Sequence, residues 1–388
     1  MSKVSLFYDT EPFKITKPIK FIELFAGVGA FSKALENIGA DFEIYRACEI
    51  DKYALKSYNA IHGTNFEVSN ICDLHGEDLG IADTDKFVYM LSYSFPCQDL
   101  SPAGNQKGMT KGTGTRSGLL WEVERLLTET KKLPQVLLLE NVPQILTDGK
   151  NADDFSLWVR FLETLGYTNY YKILNARDYG IPQNRARCFM VSLLGDYTYE
   201  FPKSFKLTTR LKDFLETNVD EKYYINDSTV EYFLDKAREA QENSGVKCEQ
   251  IGVLTGDKWK RMHEISRRVY GVDGLAPTMH TCGGGGQEPK IAEPIIWDGF
   301  NQRVRRDQTC IGTLTGNCGA DLKRNGQGII EGYRVRKITP TEAFRLMGFS
   351  DEDINKLKNI GTSDSQLYKQ AGNSIVVQVL EAVFKQMF

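Results

Sequence analysis

The chain has 388 residues, of which 41% are hydrophobic and 26% charged, with a formal net charge of −3. That composition suits a folded protein with one large domain and a smaller companion, and it excludes a disordered or low-complexity chain. No apolar run approaches the ~20 residues of a membrane span, and MSKVSLFYDTEPFKITK lacks a secretory core and cleavage site, so a cytoplasmic protein with no membrane part is expected.

In chain order, Ile19–Phe25 (IKFIELF) is a nearly continuous apolar run and predicts a buried strand. Gly27 and Gly29 turn the chain into a helix with Phe31, Ala34, Leu35 and Ile38 on one face and Gly39 as its stop. Phe42–Cys48, Lys86–Ser92 and Gln135–Glu140 predict further strands. Leu119, Leu120, Val123, Leu126 and Leu127 mark one amphipathic helix; Trp158, Phe161, Leu162 and Leu165 mark another, ended by Gly166. Strands alternating with helices predict an α/β chain with a doubly wound, mostly parallel sheet. Asn169–Leu174 and Cys188–Leu194 are separated only by a Gly/Pro loop, too short for a parallel crossover, so this pair is expected to be antiparallel.

From about Phe201 the alternation fades into Gly-rich sequence, including Gly283–Gly286. The expected division is therefore 1–200 with 335–388 as one domain and 201–334 as a smaller, less regular one. Thr339-Pro340-Thr341-Glu342 predicts a helix start with a capping box, and Val376, Val379, Leu380 and Val383 predict a last helix. Residues 251–337 hold fourteen Lys/Arg against nine Asp/Glu, a net of +5, which leaves −8 for the rest of the chain. A basic module on an acidic body suits a protein that turns one face to phosphates.

The chemistry concentrates at strand ends. YSFPCQ (93–98) puts a thiol, Cys97, after Pro96, and LLLENV (137–142) puts a carboxyl group, Glu140, at the end of another apolar run. A thiol and a carboxyl in that setting are the equipment for attacking C6 of a pyrimidine while N3 is held or protonated. FAGVG (25–29) is a glycine-rich strand-to-helix turn that lets a ligand approach the backbone. It has no third glycine at dinucleotide spacing, since Ser32 stands there, and Glu49 ends the next strand where a carboxylate can accept ribose hydroxyls. The other cysteines among the eight form no CxxC pair and the four histidines are scattered, so no metal is expected.

With GIPQNRAR (180–187) and AGNS (371–374), these motifs run in the order of the DNA (cytosine-5)-methyltransferase family, which the chain resembles from about Phe21 to its end. The resemblance is to the bacterial or phage monofunctional type. It implies a Rossmann-like S-adenosylmethionine-dependent methyltransferase fold with one antiparallel edge strand, plus a target-recognition domain. It implies that Phe25, Gly27 and Gly29 surround the methionine end of S-adenosyl-L-methionine, that Glu49 holds the ribose and that Ile50 covers the adenine. The family's usual Asp at the third cofactor position is replaced here by Asn70, beside Ile71; Pro96, Leu119, Asn373 and Ile375 complete that set. Cys97 is the implied nucleophile and Glu140 the partner of N3. Asn141 would orient the loop, Arg187 would meet the cytosine O2, and Arg185 would serve the thiol and phosphate environment.

The loop SPAGNQKGMTKGTGTR (101–116) is glycine-rich and basic, with Lys107, Lys111 and Arg116, which suits phosphate; the resemblance implies that it closes over DNA, with Gln98, Ser101, Lys107 and Arg116 as the expected contacts. Lys258, Lys260, Arg261, Arg267 and Arg268 form one basic cluster, Arg303, Arg305 and Arg306 a second, and Thr278 matches the target-recognition core. The expected partner is double-stranded DNA bound by a monomer, with room for a separately encoded cognate restriction endonuclease. The alternatives are the branch that methylates tRNA, a catalytically silent DNA-binding protein, and a nicotinamide-dependent oxidoreductase, which would leave Pro-Cys-Gln and Glu-Asn-Val unexplained.

Overall fold

The structure, a computed structural model, describes residues 11–97, 100, 108–112, 115–225, 230–232, 247–281, 287–298, 303–305 and 327–388, with backbone alone at 230–232, 294–298, 303–305 and 327–333. Contacts divide the chain into two units. The first runs to Tyr179 and takes in Ala186–Phe205 and Ser374–Phe388; the second is Gly180–Arg185 with Lys206–Asn373.

The first unit holds a six-stranded sheet of β1 (Ile19–Leu24), β2 (Phe42–Cys48), β3 (Val88–Tyr93), β4 (Val136–Asn141), β5 (Tyr167–Asn175) and β6 (Ala186–Leu194), in the order β2-β1-β3-β4-β6-β5. β1 runs parallel to β2 and β3, and β3 parallel to β4, while β6 is antiparallel to both β4 and β5. The antiparallel strand is therefore one in from the edge, a correction to the expected edge position. The cause is legible in the side chains. β6 is apolar and buried through most of its length and needs a neighbour on each side, whereas β5 exposes much of its middle and suits an edge. β2, also half-exposed, forms the other edge.

The helices α1 (Ala30–Asn37), α2 (Lys52–His62), α3 (Leu120–Glu129), α4 (Gln144–Thr147) and α5 (Gly149–Thr164) connect these strands. Asp51 starts α2 by accepting from the amides of Tyr53 and Ala54, and Gly63, at φ 66°, ends it. Ile22, Leu24, Tyr89, Leu91, Val123, Leu126, Leu137, Leu139 and Trp158 belong to one buried cluster. The C-terminal helix Val377–Phe384 lies on α1, with the Phe31 and Phe384 rings 6.3 Å apart and Asn37 donating to Glu381 at 2.8 Å.

The second unit is more regular than its composition predicts. Among the described residues, β7 (Tyr224–Ile225), β8 (Val230–Tyr232), β9 (Gln250–Leu254), β10 (Arg268–Gly271), β11 (Lys290–Asp298) and β13 (Gln327–Lys337) form a mixed sheet in the order β7-β13-β11-β10-β9-β8, with β12 (Arg303–Arg305) also paired to β11. Its core is Ile251, Leu254, Trp259, Val269, Ala292 and Val335. Residues 335–373 cluster with this unit, unlike the expected boundary at 334/335. The reason is a buried clasp: Arg336 donates to both oxygens of Glu342 at 2.7 Å and to Glu293 at 2.6 and 2.9 Å. The clasp ties β13 and β11 to the helix Pro340–Arg345, which Thr339 and Glu342 cap reciprocally as predicted. No helix of the described residues is long and apolar enough to cross a membrane.

Candidate active site

β1 ends in a turn with three left-handed residues: Phe25 at φ 57°, Gly27 at 58° and Gly29 at 81°. Ala26 donates to the Cys48 carbonyl at 3.1 Å, which keeps the turn on the end of β2. Glu49 completes the join. One carboxylate oxygen accepts from the Gly27 amide and the other from the Asp51 amide, both at 2.8 Å. Burial raises this carboxyl above its ordinary range against the lowering effect of those two amides. Each oxygen can accept a further bond. Ile50, next along, is 66% exposed. The two glycines differ in what surrounds them. A Cβ on Gly27 would meet nothing within 4 Å, whereas one on Gly29 would lie 2.1 Å from His62 Nε2 and 2.7 Å from the Tyr58 ring.

Asn70 caps the turn Ile71–Asp73, its amide oxygen accepting from Cys72 N at 3.2 Å, and the Ile71 side chain is buried in the core. Arg125 of α3 holds this turn by its carbonyls, donating to Ile71 at 3.1 Å and Leu74 at 2.9 Å while pairing with Glu122 and Glu129. Leu119 is half-buried at the start of α3, and Ile375 is buried.

The ends of β3 and β4 are stitched together. Glu140 N donates to Ser94 Oγ at 3.2 Å, and Asn141 Nδ2 donates to the Phe95 carbonyl at 3.1 Å. Asn141 thus orients the segment that leads to the thiol. Ser117 Oγ donates to the Pro96 carbonyl at 2.7 Å, fixing the next residue back from Cys97. Cys97 is half-buried at this strand end. Glu140 is only 8% exposed, and its Oε1 lies 3.2 Å from Arg187 Nε. The neighbouring thiol shows what position does to chemistry. Cys188, paired in register with Asn141, is fully buried, and burial with the nearby Glu140 pushes it up to about 12.

On the far side of the loop, Lys111 is committed to Glu124 at 2.8 Å and lies 5.4 Å from the Trp121 ring centre, rather than being held out for phosphate. Trp121 Nε1 donates to the Met109 carbonyl at 2.7 Å. Arg116 is exposed. Gln98, Ser101 and Lys107 lie outside the described residues, as does Arg306.

In the second unit, Arg185 is buried and donates to the carbonyls of Met279 at 2.9 Å and Gly372 at 3.1 Å. The expected role was toward the thiol and phosphate; the bonds described here clasp two backbone segments, which the sequence did not suggest. Gly372 of AGNS is a glycine because a Cβ there would lie 2.3 Å from the His280 backbone. Thr278 Oγ1 donates to the Asn184 carbonyl at 2.5 Å. Arg268 is paired with Glu264 through two bonds of 3.1 and 3.2 Å, which spends much of its charge locally. Arg267 is half-buried and Asn373 exposed.

Sequence reasoning missed the support beneath the glycine turn. Glu23, 1% exposed, accepts from Ser32 Oγ at 2.6 Å and Tyr58 Oη at 3.0 Å. A lone acid inside the apolar run IKFIELF was the available signal. Arg125 left no such mark, because an arginine on an amphipathic helix reads as solvated surface.

Residues 19–388 match the family profile described as C-5 cytosine-specific DNA methylase. The orphan methyltransferase M.SPBetaI of Bacillus phage SPbeta is 31% identical over 95% of this chain and 97% of its own length. The orphan methyltransferase M.SssI of Spiroplasma monobiae is 31% identical over 96% and 98%, and the type II methyltransferase M2.ScrFI of Lactococcus lactis is 33% identical over 91% and 80%. Among solved structures, the Entamoeba histolytica methyltransferase EhMeth superposes with a TM-score of 0.65 at 18% identity, covering 96% of this chain and 98% of its own. The S. pombe Dnmt2 methyltransferase gives 0.62 at 20%, covering 95% and 98%. Both share the fold.

Proposed function

Because the chain belongs to the C-5 cytosine-specific DNA methylase family, we propose that it methylates cytosine at C5 within a specific sequence of double-stranded DNA, using S-adenosyl-L-methionine. The observation that carries this reading is the pair of stitched strand ends. They carry a half-buried thiol, Cys97, beyond the end of one strand and a nearly buried carboxyl group, Glu140, at the end of its neighbour, with Arg187 on the flank of Glu140. C5 of cytosine is a poor nucleophile. Addition of the Cys97 thiolate at C6 makes C5 nucleophilic, and Glu140 at N3 stabilises the charge that addition develops. Arg187, 3.2 Å from Glu140, keeps that carboxyl oriented and is assigned to the base's O2. When bound, S-adenosylmethionine supplies the electrophilic methyl group that C5 takes up. Loss of the C5 proton and expulsion of the thiol restore the enzyme. The base must leave the helix for any of this, at a cost of a few kcal/mol.

The cofactor fits the residues present. Gly27 faces open space, Glu49 retains acceptor capacity on both oxygens, and Ile50 offers an uncovered apolar surface beside it. Glu49 is assigned to the ribose, Ile50 and Asn70 to the adenine, and Phe25 with Gly27 to the methionine end. We assign the first unit to cofactor and chemistry and the second, through its basic loop around Lys258–Arg268, to recognition of the target. The relatives' names, type II and orphan, support a restriction-modification ancestry with or without a partner endonuclease.

The test is 5-methylcytosine mapping of plasmid DNA from a methylation-free host that expresses the chain, beside a Cys97→Ala control. Methylation confined to one short sequence, and absent from the control, is expected. A soluble, cofactor-binding protein that leaves DNA unmethylated would refute the DNA reading in favour of an RNA substrate.

A further inference from the structure

We propose that Tyr58 and His62, one turn apart on α2, are positioning residues for S-adenosylmethionine, holding the Gly27–Gly29 turn from behind. This rests on the proposal that the turn receives the cofactor.

Four observations in the first unit lead there. His62 Nε2 lies 3.2 Å from the Val28 carbonyl; a carbonyl only accepts, so this nitrogen carries the proton and donates into the middle of the turn. The Tyr58 and His62 rings pack tilted at 52° with centroids 4.6 Å apart, and the Gly29 Cα sits against both, so closely that no Cβ fits. Tyr58 Oη donates to the buried Glu23 carboxyl at 3.0 Å and lies 3.1 Å from Ser32 Oγ, which donates to the same carboxyl at 2.6 Å. Glu23 also accepts the amides of Phe31 and Ser32 at the start of α1. The turn therefore hangs between β1 and α1 on one side and the two α2 rings on the other.

α2 is also the helix whose first residues are tied to Glu49: the Asp51 amide bonds Glu49, and Asp51 caps the helix. A single rigid helix thus connects the carboxylate assigned to the ribose with the backbone assigned to the methionine end. The groups that would hold the two halves of the cofactor are thus tied to the two ends of one helix. The Val28 carbonyl and the Gly29 backbone cannot shift without breaking the His62 bond or the Tyr58 contact, so the turn is preorganised for its ligand.

The donors, not the bulk, make the proposal testable. His62→Gln keeps an N–H donor, whereas His62→Leu keeps volume and loses it; Tyr58→Phe removes one hydroxyl. Cofactor affinity would be measured by calorimetry with S-adenosylmethionine, alongside KM and kcat on target DNA and the melting temperature without cofactor. His62→Leu and Tyr58→Phe are expected to weaken cofactor binding about five- to tenfold, the loss of one hydrogen bond. KM for the cofactor should rise accordingly with kcat changed less than about twofold, and His62→Gln should recover most of the affinity. If wild type binds the cofactor and all three variants bind it equally well, the positioning role is wrong. Equal weakening in His62→Gln and His62→Leu would likewise overturn it, as a packing effect. A wild type that binds no S-adenosylmethionine would instead overturn the assignment of the turn itself. Should Tyr58→Phe fail to fold, the His62 pair decides alone.

Discussion

At the residue scale, the site sorts chemically similar groups by their surroundings. Cys97 and Cys188 are both thiols near Glu140's strand, yet one is half-exposed at a strand end and the other is sealed in β6 with its thiol pushed up to about 12. Cys188 is therefore expected to resist alkylation at pH 8 in the folded protein, with mass mapping of iodoacetamide adducts as the check. Arg187 is ion-paired with Glu140 at 3.2 Å. Replacing it with Met removes this ion pair from a nearly buried carboxylate, and kcat should fall about a hundredfold or more while cofactor affinity holds. Single-turnover methylation beside S-adenosylmethionine titration separates those two effects; lost cofactor affinity would show that Arg187 is structural instead. Glu23 gives a pH dependence. Burial raises its carboxyl from 4.5 to about 7, partly opposed by bonds from Ser32, Tyr58 and the Phe31 and Ser32 amides. The folded state therefore holds this proton more tightly than the unfolded state. The stabilising contribution is complete below pH 4.5 and is lost as the pH rises through about 7. The shift corresponds to roughly 3 kcal/mol. Urea unfolding at pH 5 and pH 8 should show a stability drop of that order in wild type and a smaller one in Glu23→Gln; equal drops would rule out Glu23 as its source.

At the element scale, what could be read from the sequence depended on whether a segment's neighbours are local. β1, its glycine turn and α1 follow from IKFIELFAGVGAF because period, turn and cap all lie within one window. The Thr339 helix start was equally legible, since a capping box is a four-residue pattern. The position of β6 between β4 and β5 was not, because nothing in Ala186–Leu194 says which strand will be its second neighbour. The regularity of the second unit was hidden for the same reason: its strands pair across long separations, β11 with β13 and β10 with β9. Arg336 shows how long-range chemistry fixes such an arrangement. It is fully buried between Glu293 and Glu342, and the pair of carboxylates holds its guanidinium above the ordinary range. Arg336→Ala would strand two acids beneath the helix Pro340–Arg345 at a cost of about 3–5 kcal/mol, read as a lowered urea midpoint. A triple change to apolar residues at Arg336, Glu293 and Glu342 should cost far less than that single change. Equal losses would show that the cluster stabilises by its net attraction and not merely by mutual satisfaction.

At the scale of the whole molecule, the motif residues were legible because the family's chemistry sits at strand ends, while the recognition residues were not, because base reading depends on which side chains protrude. Charge is the exception, since it acts at a distance and needs only approximate placement. The body of the chain is acidic and residues 251–337 are basic by five charges, so binding to duplex should depend steeply on salt. Within that stretch Lys258, Lys260 and Arg261 are exposed around the short helix Asp257–Lys260, whereas Arg268 is neutralised by Glu264 and Lys290 is buried, donating to the Ser266 carbonyl. The first three, exposed even though Lys260 lies 3.6 Å from Asp257, are proposed to carry the phosphate term and the last two to shape the loop. Each exposed cation lost should reduce the slope of log affinity against log salt by about 0.9. Converting Lys258, Lys260 and Arg261 to Ala should weaken target and non-target duplexes nearly equally, flatten the salt slope by roughly 2 to 3, and leave S-adenosylmethionine affinity unchanged. Lys290→Met should do the reverse, eroding discrimination between target and non-target DNA with a nearly intact slope, because it loosens the loop without removing an exposed charge. Fluorescence anisotropy titrations of both duplexes across a salt series measure all of these quantities at once. An unchanged slope in the triple variant would move the phosphate contacts to another face of the protein.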